Sequence, residues 1–262
     1  MNKNRTMARF DRLFIVLMCM AYSLTVSADE LKLWYSSPAV TWTEALPLGN
    51  SRLGVMVYGG TCSEELQLNE ETMWGGGPHR NDNPDALKTL PEIRQLVFDG
   101  HYREAQDMVS RNFETPRNGM PYQTIGSLLL DFPGHQEATD YYRDLDIAQA
   151  VSTVRYKVGE VTYLREVFSS FTDDVVIVRL TADKEKSLSF TASFRSPMEY
   201  SVKHSGKRLV LSTKGKEHEG VLGAVKAETW LEAANEGGQV KIEGETLSVC
   251  NASSVILYIS TG

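Results

Sequence analysis

A glycine-rich stretch between Trp42 and Pro78 constrains this chain more than any other part of its sequence. The stretch contains seven glycines, two tryptophans and several short polar side chains. Glycine adopts positive φ without steric cost and lets another backbone approach closely, because it has no Cβ. This density of glycine therefore predicts tight turns that bring main chain against another surface.

Alternating apolar residues predict strands through most of the chain. Half-buried strands are expected at residues 53–57, 66–68 and 188–194, and a hairpin is expected from residues 151–158 and 161–168. Because the strands follow one another through short turns, without helices between them, they predict a mainly β fold, a large antiparallel β-sandwich. Turns are expected at residues 159–160, 206–207, 237–238 and 243–245.

A short helical insertion interrupts this pattern at about residues 84–113. Its apolar residues recur at spacings of three and four, which is typical of amphipathic helices. We expect Asn83 to cap the first helix, with Pro84 at the first helical position. Pro91 is expected to divide the segment, and Gly100 to end the first part. The apolar face should cover the sandwich, and docking of a neighbouring domain is the alternative.

Many positions together give the chain a specific family resemblance. They are residues 33–35, 38–39, 42, 44–50, 52–54, 67–70, 74–76, 78, 83–84, 92–94, 100, 102, 104–105, 121–123, 130–132, 142–146 and 165–168. Through them the chain, from about residue 31 onward, resembles the amino-terminal domain of glycoside hydrolase family 95. This is the family of α-L-fucosidases, whose close relatives act on α-L-galactosides. The resemblance implies that residues 29–262 form that family's two-sheet super-sandwich domain.

The resemblance also implies what the full-length enzyme does. It implies inverting hydrolysis of terminal α-L-fucosyl or related α-L-galactosyl residues, with a fucosylated glycan as the partner. In the family a Glu acts as general acid, and an Asp with Asn partners activates water, all in a helical (α/α)6 barrel downstream. This chain ends at Gly262 before such a barrel, and no position matches those motifs. We therefore expect no catalytic residue here and no activity from the chain alone.

The remaining side chains form no other catalytic pattern. The pairs Glu64-Glu65 and Glu70-Glu71 should point to opposite faces of a strand, so we expect solvated or turn-capping acids. The five histidines have no metal-ligand spacing and are expected at the surface. The Gly75-Gly76-Gly77 run lacks the Lys-Ser/Thr of a phosphate loop, and no Gly-x-Ser-x-Gly motif is present. We expect neither a metal nor a cofactor.

Four residues remain as candidates for a pocket rim or an interdomain contact: Asn69, Glu70, Glu71 and Trp74. A tryptophan beside three glycines can stack on a sugar face or fill a groove between domains. Three interpretations of Trp74 stay open. It is buried inside the sandwich rim, it contacts the barrel near the pocket mouth, or it touches the sugar directly.

The first 28 residues have the order of a cleavable secretory signal. A basic start with four Lys and Arg residues precedes an apolar run at residues 13–26, and small residues follow at 26–28. Cleavage after Ala28 would leave Asp29 as the first residue and place the protein in the periplasm or outside the cell. The alternative is an uncleaved anchor, but the run is shorter than the roughly 20 residues that a membrane span needs.

Charge and cysteine content exclude several classes of partner. The leader holds four basic residues and one acid, so the remaining 23 basic and 33 acidic side chains give a net charge near −10. Such a surface repels nucleic acid and anionic lipid, so we expect no nucleic-acid partner and no membrane contact after signal cleavage. Cys62 and Cys250 could pair in an oxidising compartment. The family pattern does not require this, and we expect two separate buried thiols.

Two other classes of function stay open beside a non-catalytic domain of a secreted α-L-fucosidase. A free-standing carbohydrate-binding module would use exposed aromatics such as Trp42 and Trp74 as a sugar platform. An interaction scaffold would pair its apolar face with another chain. The sequence also leaves open whether the sugar is L-fucose or L-galactose, which differ by one exocyclic hydroxyl.

Overall fold

The computed structural model describes residues 31–115 and 119–262. The predicted signal peptide, residues 1–28, lies outside these ranges. Within them the strands form two sheets in which every neighbouring pair is antiparallel, so the predicted mainly β sandwich is confirmed.

The larger sheet has nine strands. In spatial order they are β1 (Lys32–Tyr35), β6 (Thr139–Asp146), β7 (Val151–Val158), β8 (Val161–Ser170), β9 (Val175–Ala182), β16 (Ser254–Thr261), β13 (Lys226–Glu236), β12 (Arg208–Lys214) and β11 (Glu199–Ser205). The smaller sheet has seven. Its strands are β14 (Gln239–Glu243), β15 (Thr246–Ala252), β10 (Leu188–Arg195), β5 (Gly126–Asp131), β4 (Ser63–Glu70), β3 (Leu53–Val57) and β2 (Leu46–Gly49).

The core lies between the two sheets and consists of the inward residues of each strand. In β10, the residues Leu188, Phe190, Ala192 and Phe194 are buried while their neighbours are half-exposed, as the alternation predicts. Burying each such large side chain contributes about 1.5–3 kcal/mol. The predicted turns are confirmed as well, and five of their glycines have positive φ: Gly159, Gly206, Gly237, Gly238 and Gly244.

The insertion forms two helices, α1 (Ala86–Phe98) and α2 (Tyr102–Phe113). Gly100 ends α1 with a φ of 79°, as predicted. The predicted start is two residues early, because the helix begins at Ala86 after Asp85. Asn83 instead caps the turn that leads into it, since its Oδ1 accepts from the Asp85 backbone N–H at 3.0 Å. The predicted division at Pro91 is also wrong. This proline is the sixth of the thirteen residues of α1, and the helix continues through it although the Leu87 carbonyl loses its intrahelical donor.

The two helices pack mainly against each other and only slightly against the strands. Their buried residues are Ile93 in α1 and Ala105 in α2. Leu87, Phe98 and Tyr102 are instead strongly exposed. The expectation that this apolar face covers the sandwich is therefore wrong.

A buried ion pair joins the two sheets. Glu64 on β4 and Arg165 on β8 are both almost inaccessible to solvent, and the guanidinium Nη2 donates to the Glu64 carboxylate. Glu64 Oε1 also accepts from the backbone N–H groups of Tyr58 at 3.1 Å and Gly59 at 2.9 Å. Arg165 Nη2 donates further to the Gly60 carbonyl at 2.8 Å. Of the two expectations for Glu64, a solvated acid is wrong because the side chain is buried, and a turn-capping acid is confirmed by its bonds to Tyr58 and Gly59.

Two further expectations about polar residues also need correction. His135 is buried rather than exposed, with its ring stacked on Phe132 and its Nδ1 3.0 Å from the Tyr156 hydroxyl. Burial and the nearby Arg165 charge lower the pKa of His135, which favours the neutral ring. Cys62 and Cys250 are free thiols, but Cys62 is only partly buried and Cys250 is exposed.

Removing the cation of the buried pair should destabilise the domain strongly. We expect Arg165→Met to lower the free energy of unfolding by about 3–5 kcal/mol, because the Glu64 carboxylate stays buried without its partner. The double variant Glu64→Gln/Arg165→Met removes the charge too and should recover most of that loss. Urea unfolding measures the stability of both variants. The control is Arg179→Met, which breaks the more exposed Arg179–Glu166 pair at 3.0 Å. We expect it to lose about 1 kcal/mol or less.

The same variant should show a defined pH dependence. Burial raises the pKa of Glu64 above its usual 4.5, and Arg165 opposes that rise. Without Arg165 the pKa of Glu64 in the folded state rises further. The folded state then holds a proton that the unfolded state has released, so stability falls as pH increases from the unfolded pKa towards the folded pKa. The deficit of Arg165→Met should therefore be larger at about pH 8 than at about pH 5. Equal deficits at both pH values would contradict an ionised, buried Glu64.

Candidate functional site

The four predicted candidates lie where β4 ends at one edge of the sandwich. Asn69 is half-buried on the outward side of β4, and Glu70 faces inward with 3 % exposure. Glu71 follows in an exposed turn. The two acids thus point in different directions, as the strand period requires.

Glu70 caps the turn that follows β4. Its Oε2 accepts from the Thr72 backbone N–H at 2.8 Å and from the Thr72 hydroxyl at 2.6 Å. Its Oε1 accepts from Arg52 Nε at 3.3 Å, and Arg52 Nη1 lies 3.5 Å from Asp174. The prediction of a turn-capping acid is confirmed for Glu70. Both oxygens of this carboxylate are thus engaged within the domain, and through Arg52 it links the turn after β4 to the segment at Asp174.

Trp74 is held in place but remains accessible. Its indole N–H donates to the Glu71 carbonyl at 3.0 Å, and its ring meets Tyr122 edge-to-face at 5.4 Å. The Tyr122 hydroxyl donates to the Glu70 carbonyl at 3.0 Å, and burial with the nearby Glu70 and Glu71 charges raises the pKa of Tyr122. Trp74 is 46 % exposed, so the interpretation that it is buried inside the rim is wrong. Contact with a neighbouring domain or with sugar stays open.

The glycines after Trp74 allow the close approach that the sequence predicts. The Gly76 N–H donates to the Lys216 carbonyl at 2.8 Å, and the Ala224 N–H donates to the Gly76 carbonyl at 2.9 Å. A Cβ at Gly77 would lie only 2.8 Å from the Ala224 Cβ. The Trp74 segment therefore lies directly on the loop between β12 and β13.

Trp42 occupies a different surface, the outer face of the smaller sheet. Its indole N–H donates to Gln67 Oε1 at 2.8 Å, and Gln67 stands between the buried Leu66 and Leu68 on β4. Trp42 is 56 % exposed. Both tryptophans proposed for a sugar platform are thus accessible, and each is fixed by a hydrogen bond from its indole nitrogen.

This arrangement provides no acid–base pair. Glu70 is buried in its own hydrogen bonds and Glu71 points away, so the two carboxylates do not converge on one substrate position. Within residues 31–115 and 119–262, no three His, Cys, Asp or Glu side chains come together as metal ligands. Neither helix in the described part of the chain combines the length and apolar character that a membrane span needs.

Three residues of this edge were not assigned a role from the sequence: Arg52, Tyr122 and Asp174. Arg52 and Tyr122 lie in segments that carry the family resemblance, so the sequence could have indicated them. Asp174 gave no local signal, because its partner Arg52 is far away in sequence and only the fold brings them together.

Residues 33–262 match the family described as "Glycosyl hydrolase family 65, N-terminal domain". The chain belongs to this family. It is also 40 % identical over 173 residues to "Alpha-L-fucosidase 2" of Arabidopsis thaliana, which covers 65 % of this chain and 20 % of that protein. Two proteins named "Probable alpha-fucosidase A" are 33 % identical over 166 residues in Aspergillus niger and 31 % over 174 residues in Aspergillus oryzae.

These similarities support a glycoside hydrolase N-terminal domain homologous to part of α-fucosidases. The chain spans about a fifth of the length of the relatives that it matches. The matched description names family 65, so the narrower resemblance to family 95 remains a proposal.

Adding one methyl group should displace the loop that lies under Trp74. A Cβ at Gly223 would overlap the Gly215 carbonyl oxygen, so Gly223→Ala must move the loop between β12 and β13. We expect a loss of about 1–3 kcal/mol in urea unfolding. The indole N–H resonance of Trp74 should shift in the same variant. Gly119→Ala is the matched control, since a Cβ there meets nothing within 4 Å. Equal effects of the two variants would contradict the close packing.

Proposed function

We propose that this chain is the amino-terminal, non-catalytic β-sandwich domain of a secreted, family 95 α-L-fucosidase-like glycoside hydrolase. The full-length enzyme hydrolyses terminal α-L-fucosyl or related α-L-galactosyl residues of glycans with inversion. The general acid and the water-activating group belong to its helical barrel. This domain supplies a rigid support for that barrel.

The similarity to the plant α-L-fucosidase carries this proposal, because it combines 40 % identity with a family match over residues 33–262. The geometry of the β4 edge supports it. The acids there serve the fold, which agrees with a domain that leaves the chemistry to another part of the enzyme.

Trp74 and its neighbours have a defined place in this proposal. The exposed ring, braced by Tyr122 and by the Glu71 carbonyl, forms a rigid apolar surface at one edge of the sandwich. Rigid aromatic surfaces of this kind suit a packed contact between domains. We assign Asn69, Glu71 and Trp74 to the contact with the barrel near the mouth of its pocket. The buried Glu70 holds the turn that presents them.

The isolated 262-residue chain should not hydrolyse an aryl α-L-fucoside, whereas a full-length relative should. Each positioned acid or base contributes on the order of 10²–10⁴-fold to the rate, so losing both together with the pocket leaves only background. The measurement is release of the aryl chromophore by purified protein.

Control variants show which carboxylate is responsible if the purified chain does hydrolyse the fucoside. Glu70→Gln and Glu71→Gln test the β4 edge, and Glu245→Gln removes a carboxylate from a turn at the far side of the smaller sheet. The proposal would be refuted if the pure chain hydrolyses the fucoside and if Glu70→Gln or Glu71→Gln abolishes this activity while Glu245→Gln does not. That result would place a catalytic acid in this domain.

Export is a separate part of the proposal with its own test. The signal pattern predicts that mature protein begins at Asp29. Intact-mass spectrometry of material from the periplasm or the medium should give that N-terminus. A secreted protein that still begins at Met1 would contradict cleavage after Ala28.

A further inference from the structure

A second surface feature lies on the outer side of the larger sheet, where β12, β13 and β16 run side by side. It is an open cleft of about 610 Å³, within the range of small-molecule sites. Its walls include Arg52, Arg208, Glu228, Trp230 and Glu232, with Tyr258 beside them. Sequence reasoning assigned none of these residues a role.

The floor of the cleft carries two aromatic rings. Trp230 on β13 pairs in register with Val210, and Tyr258 on β16 pairs with Glu232. Val210 lies between core residues Leu209 and Leu211, so it faces outward, yet it is fully buried. The Val210 side chain must therefore be shielded from solvent by its neighbours on the outer face of the sheet, of which Trp230 is the largest. Tyr258 is 40 % exposed, so the two rings line an accessible apolar floor.

The polar walls are held in fixed positions. Glu228 accepts from the Ser212 hydroxyl at 3.1 Å and from Lys203 Nζ at 3.3 Å, and these bonds lower the pKa of Glu228. Arg208 Nε donates to Glu232 Oε2 at 2.5 Å. Side chains held on central strands in this way form a pre-organised set of donors and acceptors.

Each charged side chain on these walls is already in an ion pair. Arg208 pairs with Glu232 and Lys203 pairs with Glu228. Arg52 pairs with Glu70 and Asp174. A phosphorylated ligand would need an excess of positive charge, and a cationic ligand an excess of negative charge. A neutral molecule with many hydroxyls needs neither, because each hydroxyl both donates and accepts. Its apolar ring face would rest on the aromatic floor.

We propose that this cleft is a binding site for a neutral saccharide, which stacks on Trp230 and Tyr258 and hydrogen-bonds Glu228, Glu232 and Arg208. The proposal requires binding alone and is independent of any hydrolytic activity of the full-length protein.

The four tryptophans of the chain provide a direct test. Trp34, Trp42, Trp74 and Trp230 each give one indole N–H signal in a ¹H–¹⁵N spectrum, and four Trp→Phe variants assign them. Titration of the 262-residue chain with L-fucose, D-galactose or lactose should move the Trp230 signal along a saturable curve for at least one sugar. Because the ligand is uncharged, added salt should leave the curve unchanged.

A matched pair of variants distinguishes sugar binding in the cleft from a general effect of removing a tyrosine from this sheet. Tyr258→Ala should weaken sugar binding roughly tenfold, since it removes one of the two rings. Tyr200→Ala is the control, because Tyr200 is 44 % exposed on β11 of the same sheet and does not line the cleft. Urea unfolding of both variants checks that the fold is retained.

Three results would overturn the proposal. The first is saturation of the Trp42 or Trp74 signal without that of Trp230, which would favour a platform on the other surfaces. The second is saturable, salt-sensitive binding of inorganic phosphate in the cleft. The third is no saturable change at Trp230 with any of the three sugars. None of these results bears on whether the full-length enzyme hydrolyses fucosides.

Discussion

The buried ion pair between Glu64 and Arg165 is the constraint on which the rest of this sandwich depends. Two charges removed from water depend on each other and on further hydrogen bonds to offset the loss of hydration. Here the backbone N–H groups of Tyr58 and Gly59 donate to the carboxylate, and the Gly60 carbonyl accepts from Nη2 of the guanidinium. The Nε and Nη1 groups of Arg165 are buried without a partner, so the cation depends on Glu64 all the more. The turn between β3 and β4 is thereby fixed to the opposite sheet, and with it the register of both strands.

That register determines what happens at the other end of β4. Glu64 and Glu70 lie six positions apart on β4, an even spacing, so both side chains face the space between the sheets. At the β4 edge the inward acid meets Arg52 and the turn at Thr72. The glycine-rich motif and its acids therefore first serve to close the sandwich at both ends. Trp74 stays accessible although Met73 before it is fully buried.

Local sequence patterns predicted the parts of the fold that local physics determines. Strand alternation, as in β10, and glycine turns depend on neighbours in sequence, and both were confirmed. The wrong predictions concern residues whose surroundings depend on groups that are distant in sequence. Glu64 reads as a solvated acid until Arg165, on the other sheet, supplies its partner. His135 is buried only because Tyr156 and Phe132 converge on it. Trp230 belongs to a cleft only because β12 and β16 flank its strand.

The two surfaces suggest different contributions to one enzyme. At the β4 edge the polar groups are engaged internally and an aromatic face remains, which suits a packed contact with protein. In the outer cleft the polar groups are paired with their neighbours but stay partly exposed beside two aromatic rings, which suits a hydroxylated ligand. A second saccharide site of this kind adds avidity only when one glycan reaches both it and the catalytic pocket. Its effect should therefore depend on the length of the glycan, because a single sugar occupies one site at a time.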